Sequence, residues 1–366
     1  MEKDDFREWF GNLYNNRENY IEYIRNMVDQ HEYTVFYGCG LMYKSVLDAW
    51  NKYVGRQLDF CCDRDPNKWG KSFGGVKCIS PDELFRIKDK CTVFITTECL
   101  VDVYKYLKSQ GVDSVHEIYY YSLIISEELS MDIEKACCVY KMLEDDKSRY
   151  LLRAMIKRVF DIKNSHFVMV DFFEKNQYFP SDIIQMSAHE SFVDAGAYTG
   201  DTLSQFLNIV KGKFDDYYAF ELDEQIFKSL KTNVADLENN LNIKVFNEGL
   251  WDKKGIINYS SGDMCSAIGK GDKTGSVVKL DDVLGNARVT FIKMDIEGAE
   301  LNALRGAENI IRSQKPVLAI CVYHRLRDIW EIPLYIKRLY PEYKIYFRHH
   351  SEYEYDTICY AIPEGK

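Results

Sequence analysis

The amino-acid sequence predicts an α/β protein with two successive open sheets, of which the second is the larger. β-rich runs alternate with amphipathic helical segments between residues 33 and 122, and again between residues 191 and 341. A glycine turn follows the first strand of each series, and two neighbouring β-rich segments come last. We therefore expect a small parallel sheet, followed by a seven-stranded, mostly parallel sheet with a closing antiparallel hairpin.

Composition and charge exclude several classes of protein. The chain is 46% hydrophobic and 28% charged, a composition typical of globular proteins. Its 366 residues are enough for two domains. Lys and Arg number 47 against 57 Asp and Glu, so the net charge of −10 predicts no nucleic-acid partner. No apolar run reaches the roughly 18 residues of a membrane span, and no apolar signal core is present at the start.

Cysteines are numerous but follow no ligand pattern. Most of the 11 lie inside apolar runs such as LDFCCD and ACCVY, and none forms a C-x-x-C pair. Cysteine in such runs behaves as a small hydrophobic residue. We therefore expect reduced, buried thiols in a cytoplasmic protein rather than disulfides or zinc ligands.

The first predicted domain, residues 1–125, consists of leading helices and a small α/β unit. Ser80 is a suitable N-cap, Pro81 fits the first helical position, and Glu83 completes a capping box. The other predicted elements are one or two helices within 1–30, a β-rich run at 33–40 that ends in Gly38-Cys39-Gly40, strands ending at Asp63, Thr97 and Ser122, and helices at 41–53 and 101–111.

Residues 126–190 are predicted to form a helical connector, with helices at 131–145 and 147–162, and residues 191–366 a second α/β domain. The predicted strands of that domain lie in the segments 190–201, 215–223, 243–252, 289–300, 316–324, 344–350 and 356–363. The remaining elements are an inserted hairpin at 255–260 and 276–284, and helices at 202–212, 224–237, 300–314 and 331–341.

A glycine turn after the first strand of this domain predicts a ligand site. Asp194 ends the strand, and Gly196 and Gly200 permit a tight turn into the helix that starts at Thr202. This D-x-G-x-x-x-G pattern differs from the dinucleotide pattern G-x-G-x-x-G, and an acid at the turn suits a cationic ammonium better than a pyrophosphate. S-adenosyl-L-methionine carries such an ammonium. The predicted cofactor-binding residues here are Asp194, Gly196, Ala197, Tyr198, Thr199, Gly200, Asp201 and Thr202.

An acid at the end of the next strand extends this site. Glu221 follows Asp194 by 27 residues, a position from which a carboxylate accepts hydrogen bonds from both ribose hydroxyls. A solvent-exposed acid is the alternative interpretation. We predict that Glu221 and the adjacent Leu222 bind the cofactor.

The order of motifs along the second half of the chain resembles that of the FkbM family of S-adenosylmethionine-dependent methyltransferases. The resemblance covers residues 176–363 and includes FVDAGAYTGDT, YAFELD, GLWD, KLDDVL, KMDIEGAELNALRGA and DTICYAIP. It implies a class I methyltransferase fold for the second of two Rossmann-like domains. It also implies O-methylation of a hydroxyl on a sugar, glycan or other small natural product.

The family's D-x-E-G-x-E signature falls on Asp295, Glu297 and Glu300 of this sequence. Asp295 ends a central strand, where its carboxylate could hold the substrate hydroxyl, the sulfonium side of the cofactor or a divalent metal. We predict no set of metal ligands. Glu300 equally suits the positive end of a helix. His324 ends the following strand, where a neutral imidazole would accept the proton of an attacking hydroxyl. The predicted catalytic residues are Asp295, His324 and Glu297.

Three further features are left open by the sequence. His349 and His350 fit either the border of an acceptor pocket or the core, and the segment 176–179 fits either a cover over the cofactor or the core. The pattern Gly38-x-Gly40 with Asp63 is similar to a second nucleotide-binding turn, but Tyr43 stands where a third glycine belongs.

Two alternatives to a methyltransferase remain, and the first of them uses that turn. They are an NAD- or nucleotide-sugar-dependent oxidoreductase or epimerase, and a non-catalytic scaffold for glycan assembly. The preferred interpretation is an O-methyltransferase of polysaccharide biosynthesis with a small-molecule or glycan acceptor. The sequence leaves the oligomeric state open, a homo-oligomer included.

Overall fold

The computed structural model describes residues 3–16, 19–118, 123, 132–164, 167–259 and 271–365. The chain divides into two compact units. Unit 1 comprises Met1–Ile133, Arg153–Phe173 and Ser351–Glu354, and unit 2 comprises Glu134–Leu152, Glu174–His350 and Tyr355–Lys366. Residues of the predicted connector, 126–190, therefore contribute to both units.

Unit 1 is built on a six-stranded sheet. Its strands are β1 (Tyr33–Tyr37), β2 (Phe60–Cys62), β3 (Ser72–Phe73), β4 (Val76–Ile79), β5 (Cys91–Ile95) and β6 (Val115–Glu117). They lie in the order β3-β4-β2-β1-β5-β6, and every neighbouring pair is parallel except β3 and β4. The predicted small parallel sheet is confirmed. Residues 119–122 of its predicted last strand lie outside the described residues.

The helices of unit 1 follow the sequence signals. They are α1 (Lys3–Asn15), α2 (Tyr20–Val28), α3 (Leu41–Ala49), α4 (Pro81–Arg86) and α5 (Leu100–Ser109). Ser80 and Glu83 form the predicted capping box at the start of α4. Helix α3 continues as one π-helical turn, Trp50–Val54, which buries the Trp50 ring edge-on against Phe36 at 5.1 Å.

Two helices lie between the sheets in the sequence, and their boundaries are close to those predicted. They are α6 (Ile133–Met142) and α7 (Asp146–Phe160). None of the helices in the described part of the chain is long and apolar enough to cross a membrane. Ten cysteines in the same part of the chain are free thiols, eight of them buried; Cys265 lies outside it.

Unit 2 is built on the predicted seven-stranded sheet. Its strands are β7 (Ser191–Ala195), β8 (Asp216–Phe220), β9 (Ile243–Phe246), β13 (Phe291–Met294), β14 (Val317–Cys321), β15 (Lys344–His349) and β16 (Thr357–Ile362). The order is β15-β16-β14-β13-β7-β8-β9, and β16 is antiparallel to both neighbours. This is the predicted class I methyltransferase fold. The order reverses direction between β7 and β13, and such a switch point opens a crevice at the carboxyl ends of the strands.

The helices of unit 2 are α8 (Asp201–Val210), α9 (Glu224–Glu238), α10 (Leu280–Leu284), α11 (Glu300–Arg305), α12 (Glu308–Gln314) and α13 (Asp328–Leu339). The single helix predicted at 300–314 is wrong, because the chain breaks into α11 and α12 at Gly306. A Cβ at Gly306 would lie 1.9 Å from the Trp251 carbonyl oxygen, so this glycine allows two backbone segments to touch. Asp281 then accepts the backbone N–H groups of Asn309 and Ile310 at the start of α12.

A smaller sheet holds the inserted hairpin, but its second predicted segment, 276–284, is wrong beyond Val278, because Leu280–Leu284 form α10. Strands β11 (Gly255–Tyr259) and β12 (Lys273–Val278) are antiparallel, and β10 (Gly249–Leu250) adds to β12 in parallel. Residues 260–270 of the connection lie outside the described residues.

Aromatic packing fixes the register of the central strands of unit 2. The buried Phe192 ring of β7 stacks on Tyr217 of β8 at 5.2 Å and on Phe291 of β13 at 4.8 Å. Since side chains alternate along a strand, Asp194, two residues on, lies on the same face as Phe192. The core therefore positions the carboxyl ends of β7, β8 and β13 beside one another.

Candidate active site

The predicted glycine turn lies at the switch point and touches the end of β13. Gly196 has φ +77°, and a Cβ there would lie 1.9 Å from the Asp295 carbonyl oxygen. Any side chain at this position would force the ends of β7 and β13 apart. Gly200, with φ +94°, ends the turn and precedes α8. The structure therefore brings the D-x-G-x-x-x-G turn and the D-x-E-G-x-E signature into direct contact.

Glu221 fastens the same turn from the end of β8. Its Oε2 accepts the Tyr198 backbone N–H at 3.0 Å, and its Oε1 accepts the Asp223 N–H at 2.8 Å. Burial of the carboxylate, which is 9% exposed, raises its pKa. Each oxygen keeps further lone-pair capacity, so Glu221 can accept two more hydrogen bonds on its open side.

Leu222 packs on two glycines of the small sheet. A Cβ at Gly275 would lie 2.4 Å from Leu222 Cδ1, and one at Gly249 would lie 3.3 Å from it. Asn247 donates its side-chain N–H groups to the carbonyl oxygens of Glu221 and Leu222. Asn247 therefore holds the backbone of the predicted ribose acid, a role for which its place in FNEGLWD gives only a weak signal.

The other turn residues differ in accessibility. Ala197 and Thr202 are buried at 1% exposure, whereas the Tyr198 ring is 56% exposed with φ +47°. Asp201 is exposed at the first residue of α8, and the Thr199 carbonyl accepts from Asn233. The side chains of Tyr198 and Asp201 are therefore accessible to a ligand, whereas Ala197 and Thr202 could contact it only through their backbone groups.

Asp194 lies beneath the turn, in a buried ion pair that the sequence did not indicate. Its Oδ1 is 3.0 Å from Lys293 Nζ, and its Oδ2 accepts the Tyr217 hydroxyl at 2.5 Å. Both charged side chains are buried, at 0% and 2% exposure. Burial raises the pKa of Asp194. Its charge is already neutralised by Lys293, which differs from the open ammonium partner that the sequence suggested.

Lys293 connects this pair to the turn. Its Nζ donates to the Gly196 carbonyl oxygen at 2.6 Å. Burial disfavours its charge, but the Asp194 and Asp295 carboxylates outweigh that penalty and raise its pKa. A lysine within the apolar run VTFIKMD is the signal by which this residue could have been found.

Asp295 is held by two tyrosine hydroxyls. Tyr178 donates to Oδ2 at 2.7 Å and Tyr323 donates to Oδ1 at 3.1 Å. Burial would raise the pKa of Asp295, but the charges of Lys293 and His324 outweigh it and lower that pKa. Tyr178 belongs to the segment predicted to border the cofactor or fill the core, and has φ +68°. Asp295 is therefore an anion, 23% exposed at the switch point.

His324 lies beside Asp295, as predicted, but its charge differs from the prediction. Its ring nitrogens lie 3.5 Å from Asp295 Oδ1, 3.5 Å from Glu297 Oε2 and 3.0 Å from Glu300 Oε1. Burial would lower its pKa, but Glu300, Glu297 and Asp295 together raise it to about 10. With this charge environment the imidazole holds its proton at neutral pH and is not the neutral base expected from the sequence.

His349 and His350 make internal hydrogen bonds. His349 Nδ1 lies 2.8 Å from Thr357 Oγ1, and the two ring nitrogens of His350 lie 2.9 Å from the Glu174 carbonyl oxygen and from Tyr360 Oη. Both residues are buried, and burial lowers the pKa of His350 to about 4. These contacts correspond to the core role that the sequence left open.

The turn of unit 1 resembles the site turn but carries a cation. Asp63 Oδ2 accepts the Cys39 N–H at 2.8 Å, as Glu221 accepts the Tyr198 N–H. Lys68 Nζ also lies 2.8 Å from Asp63 Oδ2 and donates to the Cys39 carbonyl. The acid that would accept ribose hydroxyls is thus neutralised by an ion pair.

Comparison with known proteins assigns the second half of the chain. Residues 194–351 match the family model of the methyltransferase FkbM domain. The crystal structure of methyltransferase FkbM from Methylobacillus flagellatus KT has a TM-score of 0.74 at 21% identity, covering 98% of this chain and 100% of that chain. This likeness shows a shared fold. No curated protein matches the sequence.

Other solved structures match a smaller share of the chain. An rRNA methylase from Streptococcus thermophilus has a TM-score of 0.32 at 15% identity, covering 48% of this chain and 87% of its own. A SAM-dependent methyltransferase from Aquifex aeolicus has a TM-score of 0.31 at 18% identity, covering 48% and 83%. The match to the methyltransferase FkbM domain, residues 194–351, includes the turn, Glu221 and the Asp295 cluster.

Proposed function

We propose that this protein is an S-adenosyl-L-methionine-dependent O-methyltransferase that acts on a hydroxyl of a sugar, glycan or other small natural product. The observation that carries the proposal is the contact of Gly196 with Asp295, which sets the Glu221-fastened turn directly beside an anionic carboxylate. A cofactor site and an acceptor site therefore share one edge of the sheet. The family match to residues 194–351 supports the same activity.

The residues around the turn suit the two ends of the cofactor. Glu221 has acceptor capacity for the ribose hydroxyls, and Leu222 offers an apolar surface next to it. The first N–H groups of α8, from Asp201 onward, have no intrahelical acceptor and suit the methionine carboxylate. Because Lys293 neutralises Asp194, we assign Asp194 to the support of the turn rather than to the cofactor's ammonium.

The chemistry requires positioning and the loss of one proton. The acceptor oxygen attacks the methyl carbon as the carbon–sulfur bond breaks, and sulfur keeps the electron pair, which gives S-adenosylhomocysteine and a methyl ether. The hydroxyl proton passes to a base or to solvent. Asp295 is an anion that can hold the hydroxyl in line with the methyl group, an effect that accounts for much of the rate of such transfers. The partners are an acceptor of this class and no nucleic acid.

His324 and Glu297 remain in the proposal as groups beside Asp295. A protonated imidazole cannot accept the hydroxyl proton, so a base role for His324 requires that its proton is first displaced. Glu297, 39% exposed and 3.5 Å from His324 Nε2, contributes negative charge on the open side of the cluster. A place in polysaccharide biosynthesis, with a cytoplasmic location, fits an acceptor of this class.

The test is cofactor binding followed by a search for the acceptor. We expect calorimetry to detect S-adenosylhomocysteine binding, and Glu221→Gln to weaken it about 10–100-fold, because a charge-assisted hydrogen bond contributes roughly 1.5–3 kcal/mol. Glu224→Gln, an exposed acid three residues later, is the matched control and should leave affinity unchanged. Methyl transfer is then measured by mass spectrometry over nucleotide sugars and glycans. A folded protein that binds no S-adenosylhomocysteine would refute the proposal.

A further inference from the structure

One imidazole and three carboxylates converge beside the ends of β13 and β14. His324 Nε2 lies 3.5 Å from Asp295 Oδ1 and from Glu297 Oε2, and its Nδ1 lies 3.0 Å from Glu300 Oε1. We propose that His324, Asp295 and Glu297 bind a divalent metal ion and that Glu300 orients the imidazole. The inference rests on the proposed function, because the ion would lie beside the acceptor hydroxyl.

The distances fit ligands that share an ion. Hydrogen bonds from N–H to oxygen usually extend to about 3.2 Å, so the two 3.5 Å separations at Nε2 are too long for them. Ligand bonds of about 2.1 Å at tetrahedral or octahedral angles keep two ligand atoms roughly 3.0–3.5 Å apart. Ligand atoms of Asp295, His324 and the orienting Glu300 all lie within 4.8 Å of one another, and Glu297 Oε2 lies 3.5 Å from Nε2 of the same imidazole.

The imidazole supplies an observation independent of the acids. Its side chain is 4% exposed, Nδ1 faces Glu300 Oε1 at 3.0 Å, and Nε2 makes no hydrogen bond. Oε2 of the fully buried Glu300 has no hydrogen-bond partner either. Buried polar atoms in native proteins nearly always have one. An ion on Nε2 satisfies the ring, and Nδ1–H then donates to Glu300, which is the carboxylate–histidine–metal arrangement of many metal sites.

The charge of the cluster favours the same ligand. The carboxylates of Asp295, Glu297 and Glu300 all face the imidazole of His324, whose side chain is 4% exposed. The neighbouring ammonium of Lys293 is engaged by Asp194 and by the Gly196 carbonyl. Carboxylate oxygens together with an imidazole nitrogen are donors that divalent cations bind, so this group of side chains suits such an ion.

The ligand set indicates the class of metal. A site with one imidazole and carboxylate ligands favours Mn²⁺, Fe²⁺ or Zn²⁺ more than a site with oxygen ligands alone does. Held beside Asp295, such an ion would lower the pKa of the acceptor hydroxyl, whose proton would pass to solvent before the oxygen attacks the methyl carbon. This removes the need for a neutral histidine base.

Direct metal binding tests the inference without reference to activity. The full chain is treated with chelator, desalted and titrated with Mn²⁺, and free Mn²⁺ is measured by electron paramagnetic resonance. We expect one ion per chain. His324→Gln and Glu297→Gln should each weaken binding at least ~10-fold, and Glu300→Gln about 10–100-fold, as loss of an orienting carboxylate does in other metal sites. Glu342→Gln, an exposed acid, is the matched control and should bind as the wild type does.

The outcomes separate this inference from the proposed function. Calorimetry with S-adenosylhomocysteine is run on each variant without metal, and unchanged cofactor affinity shows that the site is folded. The Glu297 side chain is 39% exposed, so we expect Glu297→Gln to fold. This variant therefore still tests metal binding if His324→Gln fails to fold. The metal site is overturned if no Mn²⁺ binds up to millimolar concentration, or if binding survives in both Glu297→Gln and Glu300→Gln. The affinity for S-adenosylhomocysteine is a separate measurement, so it tests the proposed function in either case.

Discussion

The buried pair of Asp194 and Lys293 gives the sharpest prediction about stability. Lys293→Met removes the ammonium 3.0 Å from a carboxylate of 0% exposure and leaves it only the Tyr217 hydroxyl. Breaking a buried ion pair on one side costs about 3–5 kcal/mol, because the remaining charge is uncompensated. We therefore expect Lys293→Met to lower the free energy of unfolding by that amount at pH 8.

The effect should depend on pH and on the partner. Burial already raises the pKa of Asp194, and without Lys293 it rises further, so the carboxyl takes up a proton as the pH falls. The loss in Lys293→Met should therefore shrink between pH 8 and pH 5. The double variant Asp194→Asn with Lys293→Met removes both charges and should recover most of the loss.

Urea unfolding followed by circular dichroism measures these differences. Lys228→Met is the control, since its pair with Glu224 is similarly close, at 2.7 Å, but both side chains are about 70% exposed. An exposed pair contributes about 0–1 kcal/mol. A free energy of unfolding of Lys293→Met within about 1 kcal/mol of the wild type at pH 8 would contradict the expected cost of an unpaired Asp194. A double variant as unstable as the single one would contradict it too.

Two further predictions concern the turn and His350. Gly196→Ala puts a Cβ 1.9 Å from the Asp295 carbonyl and should abolish S-adenosylhomocysteine binding, measured by calorimetry, whereas Gly212→Ala, which meets no atom within 4 Å, should bind normally. His350, with pKa about 4 when folded against an ordinary 6.5, stays neutral while the unfolded chain protonates, so stability falls as pH drops. Between pH 7 and pH 5 the loss is about 2 kcal/mol. His350→Gln should lack this component in urea unfolding, and an unchanged pH dependence would contradict it.

The sequence determined much of the fold because its signals are local. Strand and helix periodicity, the capping box at Ser80 and the glycine turn at Gly196 and Gly200 each depend on neighbouring residues. The position of Glu221 followed too, because the spacing of a strand, a helix and the next strand sets where the acid after β8 lies. The break at Gly306 could not be predicted, because its cause is the Trp251 carbonyl, which is distant in sequence and would lie 1.9 Å from a Cβ at that glycine.

The charge state of each site residue was decided by tertiary structure alone. The sequence indicates an open acid at Asp194, whereas the fold places Lys293, 99 residues later, beside it. It indicates a neutral base at His324, whereas the fold surrounds that ring with three carboxylates from another turn. A pKa is set by burial and by every charge within a few ångströms, and neither quantity is encoded in the local pattern. The sequence by itself determined which residues reach this edge of the sheet, and only the tertiary structure decided which of them are paired or protonated.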